Sequence, residues 1–178
     1  MGDGHYSELE NVQKFEDFLR KNPNYVKALQ GEVAKHEKEY EDNTSKLITD
    51  IREEPRSTSE IRRAYGKIKS EFEHLLHHRP SFTKQNEKVE KELKMREKEI
   101  VQEFRDYAAK MQERLDTTTN LRKIEAMGGE LLDEYKINED NREITSETGP
   151  IFRELLRKIT TKYLYQTSPQ GILGFHVM

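Results

Sequence analysis

His74-Leu75-Leu76-His77-His78 is the densest group of potential metal ligands in the chain, with imidazoles three and four residues apart that a helix would turn to one side. No carboxylate motif of the His-Glu-x-x-His kind accompanies them. They also fall just before Arg79-Pro80, in a last helical turn where a protonated histidine favours the negative end of the dipole. Charge complementarity is the expected role, and no metal site is assigned. His36 sits at an inward position of an apolar repeat, which suits either a pH-sensitive ring or, as the expectation, an interfacial hydrogen bond to Asn or Glu. With 34 Asp and Glu in 178 residues no catalytic carboxylate pair stands out, and acid chemistry of the glycosidase type needs two acids held across a pocket. The hydroxyls at 57–59 and 117–119 read as local backbone hydrogen-bonders. No Gly-rich phosphate loop occurs, and the absence of cysteine removes disulfides, thiolate metal sites and thiol catalysis. We therefore expect no catalytic residue, no cofactor, no metal and no small-molecule substrate.

The elements that would carry any function are helices. Ser7-Glu8-Leu9-Glu10 forms a capping box that opens a first helix with Leu9, Val12, Phe15, Phe18 and Leu19 on one face. Asn22-Pro23-Asn24 interrupts it, with Asn24 able to cap a fresh start. From 25 to about 54, Val26, Leu29, Val33, His36, Tyr40, Asn43 and Leu47 recur at alternating steps of three and four, a heptad seam. Glu54-Pro55 ends that helix. Ser57-Thr58-Ser59-Glu60 caps a third, predicted to about 78 with Ile61, Tyr65, Ile68, Phe72 and Leu75 as its stripe.

The 47-residue run 81–127 contains neither Gly nor Pro and predicts a single rod of about 70 Å. Its stripe is Val89, Leu93, Ile100, Phe104, Tyr107, Met111, Leu115 and Leu121, interrupted by Arg96, and Glu87 with Lys91, Glu90 with Lys94 and Glu92 with Arg96 are expected as intrahelical pairs. Gly128-Gly129 reads as its stop. Residues 136–149 read as a loop, Pro150 as the first residue of a hydrophobic final helix, and the tail from 168 to 178 as extended and apolar.

Only 33% of residues are hydrophobic while 37% are charged, so any core must be a narrow seam. Thirty-one Lys and Arg against 34 acids leave a net charge of −3, and the predicted rod holds 11 bases against 10 acids. This mixture excludes a general attraction to nucleic acid and disfavours a membrane-binding face. No stretch has the roughly 20 apolar residues needed to span a bilayer, and Met1-Gly-Asp-Gly-His-Tyr6 resembles neither a signal core nor a myristoylation site, so the cytoplasm is the expected location.

The expectation is a single all-α domain over 1–178. It is an elongated antiparallel helical bundle or coiled coil with one long central helix. Its parts are a short helix in 1–23, a three-helix coiled-coil region in 24–127, a loop and final helix in 130–167, and the tail. A rod longer than its neighbours would leave a bare stripe around 104–121, with Arg96 and Gln112 setting register. Phe104, Tyr107, Met111, Leu115 and Leu121, with Phe152, Leu156, Ile172 and Phe175, are the expected partner-binding residues, and a homodimer or other protein complex is the expected assembly. The function that follows is a non-enzymatic scaffold or adaptor. Its rival is a helical module binding anionic lipid surfaces.

Overall fold

The computed structural model describes residues 2–76 and 79–168, with side chains from 10 onward apart from Leu76. Among them are seven helices and no strand: α1 (Gly2–Lys21), α2 (Pro23–Arg52), α3 (Ser59–Glu71), α4 (Glu73–Leu76), α5 (Pro80–Thr117), α6 (Leu121–Lys136) and α7 (Arg142–Thr167). The helical backbone starts at Gly2, five residues before Ser7, and it is Asn22 rather than Asn24 that precedes α2, with Pro23 as its first residue.

The central rod is shorter than its composition suggests. It stops at Thr117, because Thr117 and Thr118 turn their hydroxyls back onto the Arg114 carbonyl (3.2 and 2.5 Å) and Asn120 caps a new helix by accepting from the Lys123 amide (3.2 Å). Thirty-eight residues make a rod of about 57 Å. The new helix then runs straight through Gly128-Gly129, the expected stop. A methyl on Gly128 would lie 3.8 Å from Ile159, so the glycine sits at a helix crossing and packing outweighs its weak propensity.

The predicted loop 136–149 is mostly helix for a similar reason. The Asn141 side chain accepts from the amides of Glu143 and Ile144 (3.1 and 3.4 Å), starting α7 eight residues before Pro150, which lies inside it. Gly149 is buried there, and a methyl on it would crowd the Arg153 guanidinium at 3.2 Å and meet the Tyr135 hydroxyl at 3.5 Å. The third predicted helix is divided at Phe72, whose ring is drawn into a cluster with Tyr40 and Phe82.

Helix directions follow from the pairs that touch. Ser81 meets Glu37, Gln85 meets Ser45 and Glu92 meets Arg52, so α5 runs parallel to α2, and only α3 between them is antiparallel. The antiparallel bundle expected from the sequence therefore holds for α3 against its neighbours but not for α5 against α2, by connectivity: with a short helix between, the third element returns to the direction of the first. The same arrangement repeats at the other end of α5. Arg114 meets Glu130 on antiparallel α6, while Arg105 meets Glu147 and Lys162 donates to the Leu115 carbonyl from parallel α7. Two three-helix bundles thus share α5 end to end. Their cores are Leu47, Ile51, Tyr65, Val89 and Leu93 in the first, and Phe104, Met111, Leu115, Ile124, Met127, Leu131, Leu155 and Ile159 in the second.

Candidate functional site

Two features go beyond core packing: a charged waist where the bundles meet, and an arm that precedes them. At the waist Glu97 is only 4% exposed. It accepts from Arg62, from the Thr58 hydroxyl (3.2 Å) and from the Asn141 amide (2.6 Å), so one carboxylate ties α3 of the first bundle to the start of α7 in the second. The hydrogen bond to Glu97 holds the Arg62 guanidinium above its usual pKa, more than offsetting the opposing effect of burial. Arg96 lies beside it, 5% exposed, and donates to the carbonyls of Pro55 (3.0 Å) and Glu54 (3.2 Å) and to Glu99 and Glu103. Burial lowers its pKa, but the two glutamates outweigh this and leave it raised. Glu54 has a left-handed backbone, φ 56°, at the end of α2, and Arg96 holds the carbonyl of that strained residue.

An open groove of ≈ 330 Å³ on this waist is lined by Ser59, Arg62, Arg63, Asp140, Arg142 and Glu143. Most of its charges are paired. Arg62 is 3.5 Å from Glu143, Arg63 is 3.5 Å from Asp140, and Ser59 donates to Asp140 at 2.8 Å. The groove therefore offers neither an isolated nucleophile nor a concentrated charge, and the network acts as a clasp.

In the first bundle both the Tyr40 and Tyr65 hydroxyls donate to the Asn86 side-chain oxygen, the latter at 3.0 Å. Burial pushes the Tyr40 phenol up to about 12 against its Asn86 hydrogen bond, and raises that of Tyr65 as well. Thr44, not Asn43, continues the α2 seam, its hydroxyl satisfied by the Tyr40 carbonyl at 2.7 Å. His36 lies between Glu32 (3.8 Å) and Glu39 (3.5 Å) and meets Phe72 edge-on at 6.1 Å. His74 is exposed, His77 and His78 lie outside the described residues, and among the described residues no group of three metal ligands is gathered.

The residues expected to bind a partner are mostly inside the second bundle. Phe104, Met111 and Leu115 are buried, Tyr107, Phe152 and Leu156 pack against them, and Tyr135 stacks on Phe152 at 4.2 Å. The stripe on α5 expected to be bare is thus covered by α6 and α7. Leu121 is exposed at the start of α6; Ile172 and Phe175 lie outside the described residues. Of the expected polar interruptions, Gln112 bonds only to Asp116 on its own helix, whereas Arg96 is buried as described. The expected intrahelical pairs give way to longer reaches: Glu92 to Arg52 at 3.0 Å and Glu90 to Arg62 at 4.0 Å. Glu97 and Asn141 escaped sequence reading, although Glu97 stands four residues from Leu93 and three from Ile100, on the stripe itself.

Met95, Leu132, Leu164 and Tyr165 are exposed on the bundles, but the exposed apolar residues that continue a seam lie on α1 and the first half of α2. Among the described residues α1 touches only α2, and His36 marks where α2 enters the bundle. Before that point Val12, Phe15 and Leu29 are 54%, 53% and 38% exposed, and Phe18 meets Tyr25 edge-on at 5.2 Å across the Asn22-Pro23 break. That ring contact shows that the break keeps the two apolar faces in line.

The fold and these surfaces define an all-α helical bundle with a projecting amphipathic arm. No protein-family model, no curated protein and no solved structure matches the chain. No described helix is long and apolar enough to cross a membrane.

Proposed function

We propose that the protein is a non-enzymatic scaffold or adaptor of the cytoplasm that engages another polypeptide by helix pairing. The observation that supports this is the seam of the arm. The seam whose Tyr40 and Leu47 are buried in the first bundle continues outward through Val33, Leu29, Val26, Leu19, Phe15 and Val12, where α1 and α2 meet no third helix among the described residues. Contiguous apolar surface of this kind marks an interaction site, and each anchor removed from water contributes on the order of 1.5–3 kcal/mol. The clasp at Glu97 makes the two bundles one rigid mount for the arm.

The test is a photo-crosslinking amino acid placed at Leu29, with a control at exposed Lys110 on α5. Adducts with protein at 29 and not at 110, in cells that make the protein, are expected. Silence at 29 together with sedimentation on anionic vesicles at physiological salt would move the assignment to the lipid-binding class.

A further inference from the structure

Building on the scaffold reading, we infer that the arm takes an amphipathic helix of another protein, one flanked by Lys and Arg, and that its charge pattern disfavours a second copy of this chain. With Val12, Leu19, Val26 and Val33 at position a, and Phe15, Asn22, Leu29 and His36 at d, the edges of the seam fall at e and g. Position e carries Glu16, Pro23, Gln30 and Glu37; position g carries Phe18, Tyr25, Glu32 and Glu39. Neither edge holds a base. The five basic residues between 10 and 35, Lys14, Arg20, Lys21, Lys27 and Lys35, all fall at b and c, one position farther from the seam than e and g.

This sorting decides between occupants. In a parallel pair g faces e of the other chain, setting Glu32 against Glu37, an acid that Arg79 of its own chain already holds at 3.0 Å; in an antiparallel pair each edge faces its own kind, acid toward acid. Self-pairing therefore finds no opposite charge on either edge. A basic-flanked helix answers Glu16 and Glu32 directly, and charges at these positions set partner choice. Phe18 and Tyr25 at g widen the apolar face beyond a two-residue seam and give the partner broad anchors. A lipid surface is disfavoured because the charges directly beside the apolar stripe, Glu16 and Glu32, are acidic.

Residues 169–178 are excluded by reach. The arm leaves the bundle at Tyr40, beside Phe82, whereas α7 lies at the far end of α5, with Lys162 on the Leu115 carbonyl. Phe82 to Leu115 spans about 50 Å of helix, while residues 169–178 extend at most about 36 Å.

The experiment uses the full chain and two labelled synthetic helices with identical apolar a and d positions, one with Lys and one with Glu at every e and g. Fluorescence anisotropy at 0.15 M salt, a value set on the order of the physiological one, should show the Lys peptide binding at least about tenfold tighter than the Glu peptide, with the difference shrinking as salt rises. The Glu16→Lys, Glu32→Lys double variant should reverse the order. Phe15→Ala with Leu29→Ala should abolish binding of either peptide. Equal binding of both peptides would overturn the charge inference and leave the scaffold reading standing. So would a concentration-dependent dimer, seen by sedimentation and lost in the Phe15→Ala, Leu29→Ala variant, with no peptide bound. Absence of peptide binding and of self-association, with sedimentation on anionic vesicles, would sink both.

Discussion

The arm and the first bundle are built on one repeat, and what separates them is company. Leu29 and Leu47 are the same residue type in the same helix, both on the seam, yet Leu47 is 6% exposed against α5 and Leu29 is 38% exposed. A heptad therefore specifies which face wants burial, while chain connectivity decides where burial is available. After Pro80 the chain returns alongside α2 only as far back as about Glu37, so the part of α2 before that point keeps an apolar face with no partner beyond α1 among the described residues.

The sharpest way to break this comparison is to truncate both leucines. Leu47→Ala should cost about 3 kcal/mol in urea unfolding, the usual penalty for a buried leucine, whereas Leu29→Ala should stay within about 0.5 kcal/mol. Equal losses would mean that the arm is covered in the free protein. Next in size is the clasp. Glu97→Leu removes the shared acceptor of Arg62, Thr58 and Asn141 and should cost about 2 kcal/mol, less than a fully buried pair because Arg62 keeps 30% of its side chain in water and stays near Glu90 and Glu143, and Asn141 still donates to Thr58. Combined with Asn141→Ala the losses should be markedly less than additive, since both substitutions remove the same bond.

A third expectation concerns alkaline pH and touches only the bundle. Tyr40 and Tyr65 are held neutral by burial, Tyr40 with its pKa raised from 10.0 to about 12. A pKa raised on folding means that the unfolded chain gives up its proton first. The stabilisation is complete below pH 10 and falls away as pH climbs through 10 toward about 12. Urea titrations across that window should show the decline, and Tyr40→Phe should make it shallower. An unchanged slope in that variant would remove Tyr40 as its source.

Much of this architecture was legible in the sequence. The helices, the breaks at Pro23, Pro55 and Pro80, and the stripes at Tyr65 and on α5 follow from periodicity and proline chemistry. What misled was treating weak local signals as decisive. Gly128-Gly129 costs an exposed helix on the order of 2 kcal/mol, yet α6 continues through it because Ile124, Met127 and Leu131 are buried on either side. Thr117-Thr118-Thr119-Asn120 holds neither Gly nor Pro and still ends the rod, through hydroxyl and amide bonds that composition alone does not rank. The covered stripe at 104–115 follows from these two errors together. Once the rod ends at Thr117 and the chain turns back, α6 and α7 lie exactly along the face expected to be bare. The arm was visible as Val12, Phe15 and Leu29, but nothing in its pattern told that its neighbours would fall short. Asn141 could have been found as an Asn standing before Glu143 and Ile144; its bond to Glu97 could not.

The smallest effect sharpens the comparison most, because it separates local from global stability with one kind of substitution. Gly31 in the arm and Gly129 in α6 are both helical, and a methyl at either meets nothing within 4 Å. Alanine should therefore favour the helix at both sites by about 0.5–1 kcal/mol. In α6 the helix forms and melts with the bundle, so Gly129→Ala should raise the urea midpoint by that amount. In the arm the gain stays local: without a tertiary partner, residues 10–35 fray before the bundle unfolds, and the global midpoint should not move. What should change is amide exchange, with slower exchange near residue 31 in Gly31→Ala and no change around α6. If the arm also pairs with a basic helix as inferred above, the same substitution tightens that binding a few-fold, because part of the ordering cost has already been met in the free protein. A shift in the global midpoint for Gly31→Ala would instead show that the arm is folded into the cooperative unit.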